Sequence, residues 1–386
     1  MLPYLLDWAH LSLRWLHLIA GAAWIGASFY FNWLNNNVRP LPPGSPLDPA
    51  GEIVGDVWSV HGGAFYRALK KGYTIERLPD PLHWFYWEAY TTWLSGIGLM
   101  LVVYWLNASA YMAGPLPAGP AVGVGMAALA IGWVVYDLLC KTPLVAKPAV
   151  FGAVIFALLT AAAWGLGQLL PARAAYVHVG AMIGTIMAAN VYFVIIPSQR
   201  QMVAAAQRGE PLDPKFGSAG GLRSLHNNYF TLPVLFVMVS NHFPFTYGSE
   251  WGWLVLACVG AVGLMIRHVF NLKGKGLPYA PWVGASLVGG VAIILAMAPR
   301  PSTGGTVAWA QIAPMMASRC ATCHATNPTQ AGFVQPPLGL VLDTEAQAVA
   351  VAPKIATMVE TNVMPLGNLT GMTDDERALM VAWARQ

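Results

Sequence analysis

The chain has 386 residues, of which 10% are charged and 56% apolar. An ordinary soluble domain carries roughly a quarter charged residues, so most of this chain faces something other than water. Its net charge of +4, from 21 basic and 17 acidic residues, is too diffuse for a nucleic-acid surface, and its four cysteines suggest no disulfide framework. Nucleic-acid binding, disorder and collagen-like repeats are thereby excluded, and an integral membrane protein remains.

In chain order, apolar runs long enough to cross roughly 30 Å of hydrocarbon as helices occur at 9–33, 84–106, 121–140, 148–170, 174–196, 226–246, 251–271 and 280–299. They predict eight transmembrane helices surrounded by membrane lipid. The first ten residues lack the basic leader and small-residue cleavage site of a signal peptide, so the first run is expected to stay attached. Lys and Arg gather in short cytoplasmic loops. Arg39, Arg67, Lys70, Lys71, Arg77, Lys141, Lys147, Arg200, Arg208, Lys215, Arg223, Lys273 and Lys275 fall on one side, whereas the opposite interhelical loops hold Arg173. This predicts both termini outside the cell, with loops 34–83 and 197–225 inside.

A Pro/Gly/Ser linker at 300–306 separates the membrane part, 1–299, from a soluble tail, 307–386. That tail opens with a helix-like stretch at 307–319 and closes with a helix announced by the capping-box pair Thr373 and Glu376. Between them stands Cys320-Ala321-Thr322-Cys323-His324. In this pattern two thiols bond to the haem vinyl groups and the adjacent imidazole ligates iron. A zinc site would need further soft ligands that the tail lacks. One covalent haem c is therefore expected, with Met364 as the sixth ligand and Met358 and Met372 as its rivals. The fold class is all-α: a polytopic membrane bundle of about eight helices with a C-terminal class I-like cytochrome c domain in the periplasm.

The other histidines fall in two layers. His10, His17, His178 and His242 lie in the outer half, and His61, His83, His226 and His268 at or near the cytoplasmic face. Ionisable groups at membrane depth usually face a cavity, a partner or a cofactor, so His17, His178 and His242 are candidates for a non-covalent haem b. A hydrogen bond to a neighbouring helix is the plain alternative. On the inner side Trp58, His61, Tyr66, Arg67, Glu88, His226, Asn227 and Asn228 cluster where helices enter lipid; a rim of charged and capping residues would look the same.

The order of the parts is itself informative. Trp-Leu-His-Leu-Ile-Ala-Gly-Ala-Ala-Trp-Ile-Gly at 15–26, His-Gly-Gly-Ala-Phe-Tyr at 61–66, His-Asn-Asn-Tyr-Phe-Thr-Leu-Pro-Val-Leu-Phe at 226–236 and the trailing haem c motif together resemble the membrane-bound, cytochrome c-fused urate oxidases, over essentially the whole chain. The resemblance implies an oxidoreductase of the bacterial inner membrane that takes urate to 5-hydroxyisourate. Its electrons would pass through haem c to a soluble cytochrome c or a terminal oxidase, with no hydrogen peroxide formed. Urate is a planar anion near neutral pH, so its pocket needs cationic or amide donors, an aromatic face and a base. His61, Arg67, Glu88, His226, Asn227 and Asn228 supply such groups if that pocket is cytoplasmic; Asp7, His10 and His17 do so if it is periplasmic. Two further readings stay open, a quinol:cytochrome c oxidoreductase and a non-enzymatic anchor for an electron carrier.

Overall fold

The computed structural model describes residues 1–48, 51–72, 78, 81–298, 306–331 and 333–386. Arg77 and residues 300–305 of the expected linker lie outside them.

Each predicted apolar run is helical. In chain order these are α1 (Leu2–Asn37), α2 (Trp87–Leu99, continued by a π-helical turn Met100–Trp105), the short α3 (Ala108–Tyr111), α4 (Ala118–Cys140), α5 (Pro148–Leu169), α6 (Ala172–Asn190), α7 (Ile196–Arg208), α8 (Pro214–Ser240), α9 (Gly252–Gly274) and α10 (Ala280–Ala296). Among the described residues, α4, α5, α6 with α7, and α9 are long and apolar enough to cross a membrane, and α10 is apolar but shorter. Polar side chains interrupt the apolar pattern of α1 and α8, which run to 36 and 27 residues.

Glycines mark where these helices touch and which way they run. Gly96 and Gly98 of α2 lie against His17 and Leu13 of α1, an antiparallel pair, whereas Gly125 and Gly132 of α4 meet His178 and Met182 of α6 in parallel. Gly180 of α6 against Val237 of α8, Gly263 of α9 against Leu232 of α8, and Gly289 of α10 against Val262 of α9 are again antiparallel. Direction therefore reverses at each long connection. One end of the bundle gathers the connections around 106–117, 170 and 241–251, here called the tail end. Those around 38–86, 141–147, 209–213 and 275–279 gather at the other, the hairpin end. The core between them is built on Tyr104, Met112, Tyr136, Phe151, Tyr176, Met182, Ile186 and Val237.

Two features depart from the sequence expectation. The 34–83 loop contains an antiparallel hairpin, β1 (Ile53–His61) with β2 (Ala64–Lys71), pairing Trp58 with Arg67 and His61 with Ala64. The membrane part is thus helical with one hairpin, and the all-α expectation needs that correction. Gly62 and Gly63 have φ of 58° and 79°, the double positive-φ turn that matches the twist of the flanking strands. Arg39 and Asp56 exchange backbone hydrogen bonds of 2.9 Å in both directions, tying the hairpin to the end of α1.

The 197–225 segment is helix too. A π turn, Val191–Ile195, carries α6 into α7, which Gly209 stops in the left-handed conformation, and Asp213 caps α8 by accepting from Lys215 N. Arg223 is consequently a buried residue within α8, not the loop charge expected from its place before an apolar run.

The tail forms its own core from Ile312, Met316, Leu342, Ile355, Val359, Met372, Met380 and Trp383. Its helices are α11 (Trp309–Met315), α12 (Ala321–His324), α13 (Glu345–Ala350), α14 (Ala352–Glu360) and α15 (Asp374–Ala384). The expected box at Thr373 and Glu376 caps α15, and Thr344 with Gln347 caps α13 in the same way. Residues 361–367 rest on the tail end of the bundle. Val363 packs against the membrane core, and side chains on Gly248 or Gly367 would collide with Thr361 or with Ala110 O.

Candidate functional site

In the tail, Cys320 and Cys323 are free thiols on either side of the turn that begins α12. Burial, followed by the neighbouring Cys323, pushes the Cys320 thiol up to about 11, so near neutrality it is an un-ionised thiol rather than a reactive thiolate. His324 donates from Nδ1 to Leu340 O at 3.1 Å, which fixes the ring and leaves Nε2 free of that bond. The flanking segment is pinned on both sides. Arg319 binds the Glu376 carboxylate at 3.0 Å, and Leu342 N donates to His324 O at 2.7 Å.

Of the three methionines considered, Met372 is consumed by the tail core, while Met358 and Met364 are half-buried. Arg377 holds the Met364 segment, donating to Met364 O at 2.7 Å and to Val359 O at 3.1 Å. Val334 and Leu338 are 97% and 98% exposed, an apolar surface that a covalently attached porphyrin would cover. Paired thiols, an oriented imidazole and this bare apolar lip fit a haem c.

The interior histidines are spread apart. His178 is 0% exposed and both ring nitrogens are engaged: Nδ1 donates to Ala174 O at 2.8 Å and Nε2 accepts from Trp105 Nε1 at 3.2 Å. With Gly125 pressed on that same Nε2, no iron fits there. His17 donates from Nδ1 to Thr92 O at 2.9 Å and packs on Gly96. Because α1 begins at Leu2 instead of residue 9, His17 sits roughly 22 Å along its helix. On α2, its neighbour Gly96 and the His178 partner Trp105 are separated by roughly 13 Å. His242 is exposed in the turn after α8. These three do not meet at one depth, and they do not form a haem b site.

At the hairpin end, polar side chains meet on two sides of α8. Towards α4 and α6, Arg223 donates to Asp137 Oδ1 at 2.7 Å and to Asn190 Oδ1 at 3.1 Å. Asn190 in turn donates to Tyr136 Oη at 3.1 Å and to Asn227 Oδ1 at 2.8 Å, and Asn227 donates to Met187 O at 2.9 Å. The Tyr136 hydroxyl meets His226 Nδ1 at 2.8 Å, and the imidazole stacks on Phe151 with centroids 4.9 Å apart. A cavity of about 470 Å³ lined by Trp133, Asp137, Cys140, Phe193 and Arg223 adjoins this network. It is large enough for a small molecule, but the buried charges beside it already have partners.

Towards α9 the situation is different. Asn271 Nδ2 donates to Asn228 Oδ1 at 3.1 Å, leaving Asn228 Nδ2 and Asn271 Oδ1 buried without a partner. One helical turn before Asn271 lies Arg267, whose Nε is also unpartnered. Its guanidinium rests on the Phe29 ring, 4.2 Å from the centroid.

Of the residues expected at the inner side, His226, Asn227 and Asn228 thus stand together on α8 but serve two different clusters. His61 and Arg67 are exposed on the hairpin, where Arg67 pairs with Asp56 and lies over Trp58 at 5.0 Å. Glu88 is half-buried at the start of α2. None of these three has a hydrogen bond, ion pair or ring contact with α8 among the described residues. Asp137, Asn190 and Asn271 are additions that the sequence reading does not contain, and Arg223 is read there only as a loop charge. Their signal was a polar residue within an apolar helix, with Arg267 and Asn271 at the i, i+4 spacing that shares a face.

A family model described as urate oxidase N-terminal matches residues 3–298. No curated protein and no solved structure matches the chain.

Proposed function

The chain belongs to the urate oxidase N-terminal family, and on that premise we propose that it is a membrane oxidoreductase converting urate to 5-hydroxyisourate and delivering the electrons to a haem c on its own tail. The observation that carries this reading is the Cys320-Ala321-Thr322-Cys323-His324 motif, in a tail seated through Val363 on the bundle end. Urate plus water gives 5-hydroxyisourate, two protons and two electrons. Bound to Cys320 and Cys323, the porphyrin supplies a one-electron acceptor outside the membrane.

The chain's own residues prepare that acceptor. Leu340 O holds His324 by Nδ1, so that Nε2 would be the nitrogen to hold the iron, and Arg377 holds the Met364 loop by its carbonyls. His/Met ligation raises the potential, which favours taking electrons from the organic donor and passing them to a periplasmic cytochrome c or terminal oxidase. His226 has its ring set by Tyr136 and Phe151 on the α4 and α5 side of α8, where it anchors the polar network of Arg223 and Asn190. On this reading the hairpin end, which carries Lys141, Lys147, Lys215, Lys273 and Lys275, faces the cytoplasm as basic loops do, the tail lies in the periplasm, and eight helices cross the inner membrane.

Turnover with oxidised cytochrome c as acceptor tests the reading. Two equivalents of acceptor reduced per urate, with no hydrogen peroxide, support it; stoichiometric peroxide with no acceptor reduced overturns it.

A further inference from the structure

Arg223 and Arg267 are buried arginines near the same end of the bundle, and they are treated very differently. Arg223 has a carboxylate and an amide oxygen. Arg267 is 5% exposed and makes no hydrogen bond or ion pair among the described residues; its contacts are the rings of Phe29 and Phe270. A guanidinium withdrawn from water and given no anion is costly, so the fold holds it ready for an anion from outside. Beside it, Asn228 and Asn271, 1% and 5% exposed, spend one amide group each on the other. An N–H donor on Asn228 and a carbonyl acceptor on Asn271 remain open. Native interiors rarely leave such groups unpaired, and here three unpaired atoms belong to side chains joined by one hydrogen bond and one helical turn.

We infer that Arg267, Asn228 and Asn271 form the binding site for a planar anion with an alternating carbonyl and N–H edge. Resting on the urate reading above, that ligand is the urate monoanion. Its charge and one carbonyl oxygen meet the guanidinium, a second oxygen accepts from Asn228 Nδ2, and a ring N–H donates to Asn271 Oδ1. Phe29, whose ring centroid is 4.2 Å from the guanidinium carbon, supplies an aromatic neighbour. This is a pairing that a purine trione such as urate satisfies: two kinds of donor for its oxygens, one acceptor for its N–H. An anionic lipid headgroup would satisfy the charge but lacks a planar edge that meets the guanidinium, the Asn228 donor and the Asn271 acceptor together. The site lies roughly 22 Å of helix from the tail end of α9, so it concerns recognition of substrate, ahead of electron delivery.

Equilibrium dialysis of radiolabelled urate against the detergent-purified full chain tests the site. Arg267→Gln is expected to weaken binding at least tenfold. Asn228→Asp gives the guanidinium an internal carboxylate; it is expected to abolish urate binding while leaving the protein folded and its melting temperature unchanged or raised. Neutral hypoxanthine is expected not to compete. Wild-type binding with both variants at wild-type affinity overturns the site but leaves the urate reading standing, whereas no urate binding by the wild type removes both. Phospholipid that co-purifies with the wild type and is lost from Arg267→Gln, with urate affinity unaltered, would assign the cation to lipid and overturn the proposal.

Discussion

A Cβ on Gly125 would lie 2.4 Å from Nε2 of His178, so α4 and α6 pack there with an imidazole filling the space beside a bare backbone. Gly125→Ala is therefore expected to destabilise the bundle by about 1–3 kcal/mol through overpacking, read as a lower melting temperature in detergent. Adding His178→Ala is expected to recover part of that loss. If His178 were an iron ligand, His178→Ala would also lower the haem content; the expected content is unchanged.

On the far side of the same helix pair, Arg223 and Asp137 form an ion pair with side-chain exposures of 5% and 16%. Removing the carboxylate leaves a buried cation, so Asp137→Asn is expected to cost about 3–5 kcal/mol. The value falls toward the low end because Asn190 also accepts from Arg223. In a double-mutant cycle, Asp137→Asn with Arg223→Gln is expected to cost much less than the sum of the singles. Additive losses would mean that the pair is not coupled.

Met364→Ala is expected to retain covalent haem yet lower its potential and slow electron exit, because a thioether ligand raises the potential. His324→Ala is expected to disturb the iron site itself. Redox titration of both variants in full-length protein decides the assignment, and an unchanged potential in Met364→Ala assigns the sixth ligand elsewhere.

Two carboxylates staple the segments around the haem motif, and both are held below their usual range. Thr326, through its backbone N–H and hydroxyl, lowers Asp343. The Thr373 backbone N–H, followed by Arg319, lowers Glu376. A folded-state value below the unfolded one adds stability that is complete above the ordinary carboxylate range, about pH 4, and is lost as pH falls through the folded value. Hydrogen-exchange protection of the peptides around 324–344 and 370–377, taken relative to the intrinsic rate at each pH, is expected to fall below about pH 4. Asp343→Asn is expected to remove the acid dependence from the first peptide and leave it in the second.

What was legible in the sequence follows from the range of each force. The apolar runs were legible as helices, because a long apolar stretch can satisfy its backbone within itself in that form. Their ends were misplaced wherever a helix continues as an amphipathic stretch beyond the apolar part, as in α1 before residue 9 and in α7 and the start of α8. Arg223 was misjudged for that reason. The hairpin was readable in principle from Gly62-Gly63 between alternating residues, but lay hidden in a segment read as loop. Thr373 and Glu376 were legible because a capping box is local. The open state of Arg267 was not, because the lack of a partner is a property of α1, α8 and α9 packed together, and Asn271 gains meaning only beside Asn228.

If urate is oxidised in the membrane part, its electrons should appear on a haem bound to Cys320 and Cys323. Anaerobic addition of urate to the purified, oxidised full-length protein tests it most directly. Reduced haem c absorption bands, rising to one electron per haem without any added donor, are the expected result. Bands that stay oxidised with urate but appear with a quinol would contradict the account.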